Sequence, residues 1–310
     1  MTTLFGRYAT LKIGIPGTRG KLIESLSFDK EGNIVQGLHF TFRIEKTAEP
    51  SPNKSQIDIY NLSENTRSLL STKGAAVILE AGYGGILSNG KPVSEVIFKG
   101  DVVKSKTTKR GPDYITTIEN GDGIAAYQNS NFEGSFAAGS QVSNIVDSVI
   151  ASFGLGKGEV SGVDGQVLNG ATYSGSSRDV MNDLAGKTGT EWSIQNGLVQ
   201  MVPINKFTDM PAVMLNSIGN DKHGNPIDIN TGLINSPTLS GFNNSKDKKY
   251  SGVEFTALLQ PGLMPGRRVL IHSKFVPKGM YIVRKVTHNG DTRSGPWYSE
   301  CEAVAPPVSA

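Results

Sequence analysis

Cys301 and His288 are the first residues to weigh for chemistry, because a thiol becomes a nucleophile only when a neighbouring imidazole can take its proton. They lie on neighbouring strand-like segments, but no Asn or Asp is placed to orient the ring, so a buried, idle thiol is expected. Asp101, Asp113, Glu119 and Asp122 cluster between strand-like segments, and paired carboxylates are what glycoside hydrolysis needs. Nothing in their spacing sets two of them across a cleft.

The four histidines, His39, His223, His272 and His288, show no HxxxH or HxH spacing, and the single cysteine cannot complete a metal site. Gly186-Lys187-Thr188 ends like a phosphate-binding loop. However, Met181 stands where that loop needs a glycine, and a helical pattern precedes it instead of a strand. The run Gly154 to Gly158 also follows a helical pattern, whereas a dinucleotide loop must come before its helix to aim amide groups at pyrophosphate. No catalytic, cofactor-binding or metal-binding set emerges, and the chain is expected not to be an enzyme.

One charge bias remains. Lys99, Lys104, Lys106, Lys109 and Arg110 form a basic stretch offset only by Asp101. It reads either as a solvated hairpin or as a positive surface facing nucleic acid or an acidic partner. A net charge of +3 is too small to mark a nucleic-acid-binding domain by itself. Trp192, Tyr173 and Trp297 raise a rival reading, a β-rich carbohydrate-binding protein with aromatic platforms. Against it, Trp192 follows a helix on a hairpin, where core packing is the first expectation.

The elements that must position these residues are mostly strands. The 37 glycines fall between alternating apolar segments rather than in low-complexity tracts, which points to a turn-rich β protein. Phe40-Thr41-Phe42-Arg43-Ile44 and Ile57-Asp58-Ile59-Tyr60 alternate as half-buried strands do. Strands are expected at 10–15, 22–28, 40–46, 56–60, 76–82, 93–103 and 114–119, with a short helix after Asn61-Leu62-Ser63-Glu64 closing one barrel end.

Helical spacing of Val142, Ile145, Val146, Val149, Ile150 and Phe153 predicts a helix capped by Ser140 and stopped at Gly154. A second helix is expected over 178–187, capped by Ser176 or Ser177, followed by a hairpin turning at Asn196-Gly197. Residues 216–252 read as a long, mobile connection, after which strands return at 253–259, 268–272, 280–288 and 297–304.

A chain of 310 residues exceeds one ordinary core. The expected organisation is mainly β: two tube-type β-barrel domains flanking a small α+β insert. The first β domain covers 1–125, the α+β domain 126–212, an arm 213–252, the second β domain 253–304 and an extended tail 305–310. The opening lacks an apolar run of signal-peptide length and no window approaches the ~20 apolar residues of a membrane span, so a soluble, non-secreted chain without membrane insertion is expected.

Three stretches carry a family likeness. Phe42 to Lys46 followed by Ser55 to Ser63, with its Tyr60-Asn61-Leu62-Ser63, is similar to the strand, strand and helix start near the beginning of contractile phage-tail baseplate hubs. Leu184 to Gly197 resembles the helix and hairpin of the hub's inserted domain. Gly232 to Thr238, then Gly252 to Phe255 and Leu258 to Gly266, resembles the opening of the second tube domain.

The resemblance implies a structural virion protein, a homotrimer whose two β domains alternate around a ring with pseudo-sixfold symmetry. A trimeric spike would bind one face, and the tail tube or a tube-initiator ring the other. Other baseplate proteins, a tape-measure protein and transient genomic DNA in the channel are the remaining implied partners, with assembly in the bacterial host cytoplasm and no cofactor. The hub of a headless injection particle would share this fold. Any cell-wall cutting is expected to reside in another protein.

Overall fold

The computed structural model describes residues 6–28, 34–88, 91–167, 169–216, 218–220, 223, 226–228, 232–243 and 249–306. Strands make up 55% of the chain and helices 14%, so the protein is mainly β.

The first part contains β1 (Arg7–Gly14), β2 (Lys21–Glu24), β3 (Leu26–Phe28), β4 (Ile34–Gln36), β5 (Phe40–Thr47), β6 (Lys54–Tyr60), α1 (Glu64–Leu70), β7 (Ala76–Ser88), β8 (Lys91–Arg110) and β9 (Asp113–Gly121). The middle contains α2 (Ile124–Asn129), β10 (Asn131–Phe136), α3 (Val142–Ser152), β11 (Gly156–Val160), β12 (Ala171–Ser176), α4 (Ser177–Thr188), β13 (Thr190–Gln195) and β14 (Leu198–Pro203). The last part contains β15 (Val213–Asn216), β16 (Ile218–Asn220), β17 (Pro226–Asp228), β18 (Leu233–Asn243), β19 (Lys249–Leu258), β20 (Arg268–His272), β21 (Gly279–Asp291) and β22 (Trp297–Val304).

Three apolar clusters form. Phe40, Phe42, Ile44, Ile57, Ile59 and Ile118 centre the first, with Leu62 and Leu70 at either end of α1 sealing it. Ile145, Val149, Met181, Leu184 and Trp192 centre the second, and Val253, Phe255, Val269, Val283 and Val286 the third. Each such side chain contributes about 1.5–3 kcal/mol by leaving water.

The strands do not close into two barrels. Among the described residues, thirteen of the strands form one open sheet, whose main path is β18-β19-β22-β21-β5-β6-β9-β8-β7-β1-β2, with β15 and β20 beside it, and the rest form the smaller sheets β10-β12, β11-β14-β13, β16-β17 and β3-β4. The join is β21, which is too long for one partner. Its first residues pair β20 (Ile282 with Arg268), while Lys285 to Asp291 pair β5, Thr47 through Thr41, on the same edge. A register shift between Val283 and Lys285 separates the two pairings. Such a bulge bends a strand from one sheet direction into another.

The segment expected to be a loose connection instead carries β15, β16, β17, β18 and the start of β19. Its Asn-, Gly- and Ser-rich texture hides strands because edge ribbons need little apolar alternation. The helix α3 is capped by Gln141 without a side-chain bond, not by Ser140, whereas Ser176 caps α4 by accepting from the Asp179 amide at 3.3 Å. The short α2 has no expected counterpart, because its six residues are too few to show helical periodicity. The 307–310 end of the expected tail lies outside the described residues.

Candidate functional site

Strand alternation divides the basic stretch of β8. Lys104 and Lys106 pair Glu119 and Thr117, one residue out of step with the buried Ile118, so these lysines, with Arg110, face away from the core. Lys104 approaches Glu119 at 3.8 Å, an exposed contact of little energetic weight. Lys109 points to the opposite face, its Nζ 5.9 Å from the Tyr114 ring centroid, where Arg67 also sits at 5.7 Å. Lys99 lies in the half of β8 that pairs β7, with its side chain beside Gly197. The five residues therefore do not form one patch; three share a surface.

That surface continues across the sheet. Arg43 and Glu45 on β5, Lys285 and Thr287 on β21, Glu300 and Glu302 on β22, and Glu254 on β19 all occupy the same outward parity. At its far end the face sinks into a groove of about 470 Å³, lined by Arg43, Asn235, Glu254, Lys285, Glu300 and Glu302 among others. Lys285 meets Glu302 at 3.0 Å, and Asn289 donates to Glu300 at 3.2 Å. Glu254 stands directly across the ladder from Glu302, a like-charge placement that is unfavourable in isolation. The face is thus basic at its β8 end and acidic at its β19 and β22 end.

Both ends of this face are open. Beyond Val102, β8 has a strand partner only on its β9 side, and β18 has one only on its β19 side, among the described residues. The run from β8 to β18 contains eight strands, and every ladder in it is antiparallel. On β18 the register shifts between Ile234 and Thr238, and Pro237 lacks an amide donor. A partner strand therefore finds regular free rungs only from Thr238 onward.

A buried polar node fixes the β13–β14 hairpin to this sheet. The turn of the β13–β14 hairpin has φ 55° at Asn196 and 79° at Gly197, as a tight primed turn requires. Asp122, fully buried, accepts from the amides of Asn196 at 2.5 Å and Gly197 at 2.7 Å. Lys46, at an inward position of β5, donates to Asn196 Oδ1 at 2.6 Å. Asn53 donates to the Ile194 carbonyl at 2.7 Å. Burial pushes the Lys46 ammonium down to about 8, against the pull of Asp122. Burial likewise pushes the Asp122 carboxyl up, opposed by Lys46 and the amide donors. On the other side, Arg284 at the β21 bulge makes a two-pronged bond to Glu191 of β13, the Nη2 to Oε2 distance being 2.7 Å.

The chemical candidates resolve into structural roles. Cys301 is buried opposite Val286, and burial raises its thiol well above the usual range. His288 bonds Ser299 Oγ at 2.8 Å instead, and burial, reinforced by Lys46, lowers the ring to about 3. The carboxylates separate: Asp101 accepts the Ala125 amide, Asp113 accepts from Asn61, Glu119 faces Lys104, and Asp122 holds the hairpin. His39 stacks on Tyr60 and contacts Asp291 at 3.0 Å. Lys187 pairs with Asp183 on its own helix. Among the described residues no three His, Cys, Asp or Glu side chains converge as metal ligands do.

The sugar-platform reading loses its platforms, since Trp192 is 2% and Trp297 5% exposed, and Tyr173 lies under the Lys187 ammonium at 5.3 Å.

Sequence reasoning missed the acidic groove and the Lys46–Asp122 node. Glu300 and Glu302, two residues apart around Cys301, were the available signal for one outward face. Lys46 gave none, because its burial depends on a hairpin 150 residues later.

A family model described as "Baseplate hub gp41" matches residues 24–303. The fold is similar to a 43 kDa tail protein of prophage MuSo2 from Shewanella oneidensis (12% identity, 97% of each chain, TM-score 0.60). It is also similar to a tail protein from Neisseria meningitidis MC58 (9% identity, 98% of each chain, TM-score 0.62). A third similar structure is an E. coli component of the type VI secretion system (9% identity, 94% of this chain and 76% of that one, TM-score 0.57). No curated protein matches the sequence.

Proposed function

The chain belongs to the baseplate hub gp41 family, and from that membership we propose that it is the central hub of a contractile tail's baseplate, a trimeric ring joining the tail tube to the spike. The observation that carries the ring is the eight-strand run with two open edges. Seven antiparallel ladders make β8 and β18 run in opposite directions. Rotation about an axis along the strands therefore brings β8 of one copy antiparallel to β18 of the next. Ring closure removes the edges that otherwise invite aggregation. Three such runs exceed the 16–18 strands at which a barrel leaves an aqueous channel.

In this reading the outward face becomes the channel wall. Lys104, Lys106 and Arg110 line it together with Glu119, Glu254, Glu300 and Glu302, while Lys99 and Lys109 do not. A wall of mixed sign gives passing DNA no continuous row of phosphate contacts to hold it. The role is structural, with no chemistry assigned to the chain, and its place is the virion tail. The spike, the tube or its initiator ring, other baseplate proteins and a tape-measure protein are the partners that such a ring would take. The likeness to the E. coli secretion component favours a second reading, the hub of a headless injection particle, with the same ring.

Light scattering tests the ring. A particle of about three times 33.1 kDa supports it, and a monomer that persists at high concentration overturns it.

A further inference from the structure

We propose that the ring closes through an electrostatic seam, in which the basic half of β8 from one copy docks beside the acidic groove of β18, β19 and β22 on the next. The inference rests on the ring reading and adds the partner of a specific groove to it.

Lys104, Lys106 and Arg110 lie on the outward face of the strand whose far edge is open. Glu254, Glu300 and Glu302 lie on the same outward face, beginning one strand in from the other open edge. Neighbouring strands are spaced by about 4.8 Å, so a strand seated against β18 lies about 10 Å from β19. That span is within reach of an extended lysine meeting an extended glutamate. Within one copy the three carboxylates outnumber the two cations of the groove, since Lys285 meets Glu302 at 3.0 Å while Arg43 pairs with Glu45, and Glu254 stands across the ladder from Glu302.

The opposing copy supplies the missing charge. The strand that brings it is β8, since the β18 edge can pair regularly beyond Pro237 and an antiparallel β8 fits that edge. Opposite signs at the two ends of one chain also give the ring a direction. A β18 edge meeting a second β18 edge would place like charges together, which is disfavoured.

The test uses the full chain and its mass in solution. Lys106→Glu and Glu254→Lys alter exposed residues on opposite ends of the run. Each alone is expected to raise the protein concentration needed for half-assembly by about tenfold or more, and added salt to weaken wild-type assembly. The chain carrying both changes regains assembly, yet does not mix into rings with differently tagged wild-type chain. Circular dichroism matching the wild type shows that the single variants are folded.

Wild-type trimers whose formation is unmoved by either single change overturn the seam while leaving the ring intact. A wild-type chain that never trimerises overturns the ring itself. A doubly changed chain that stays as weak as the single variants also overturns the seam.

Discussion

The ring of Phe42 lies over the backbone of its cross-strand partner Gly290, at the ladder that joins the two β regions. A Cβ placed on Gly290 would stand 2.1 Å from Phe42 Cζ, and Trp297 holds the ring from the side, edge-on at 5.6 Å between centroids. An aromatic over a strand glycine is a recognised device for pinning register.

Gly290→Ala is therefore expected to lower stability by about 1–3 kcal/mol through overpacking. Denaturant unfolding measures this, and a wild-type midpoint would mean that the ring moves aside freely.

Asp122→Ala should lower stability by about 3–5 kcal/mol, because it strands a buried ammonium and two amide donors together. Asp122→Asn keeps one acceptor and should lose less. Proteolysis of the 190–203 hairpin, followed by mass spectrometry, should rise in the same order.

The Arg284–Glu191 pair is half-sheltered, its side chains 26% and 18% exposed. A double-mutant cycle with Arg284→Ala and Glu191→Ala is expected to give a coupling of about 1–2 kcal/mol. Strict additivity would show that the contact contributes nothing to stability.

Acid should destabilise the protein through His288. Its folded value near 3 lies below the unfolded 6.5, so the unfolded chain binds the extra proton between those limits and stability falls as pH drops through them. The expected slope from this group is about 1.4 kcal/mol per pH unit. His288→Asn should flatten that limb of the stability profile relative to wild type.

Alkaline conditions act through Lys46 in the same sense. Its folded value near 8 lies below the unfolded 10.5, so across that window the unfolded chain again holds the extra proton and stability rises with pH. Lys46→Met should lower overall stability by exposing Asp122 to an unpaired state, yet lose the alkaline rise. A variant that kept the rise would assign it to another group.

Much of the fold was legible where one face of a strand is apolar and the other wet. β5, β20 and β22 fall at or within a residue or two of their expected spans, because Phe40-Thr41-Phe42-Arg43-Ile44 and Trp297 to Val304 write their burial in alternation. The Asn196-Gly197 turn was equally plain, since few residue pairs tolerate its backbone angles. What stayed hidden depends on partners distant in sequence. The β21–β5 join, the burial of Lys46 and the position of β18 are set by pairing between segments that carry no mutual signal. The basic stretch was visible as composition, and plain alternation sets Lys109 opposite Lys104, Lys106 and Arg110, but the bulge between the Val102 and Lys104 pairings left no sequence signal.

The long β21 has a mechanical consequence. Because its C-terminal portion is laddered to β5 from Lys285 to Asp291, a load that slides one β region past the other along the strands meets all of those rungs in shear at once. Peeling the regions apart would break them one after another. In the proposed ring, set between tail tube and spike, load would pass along the strands, and this junction would meet it in its strong direction.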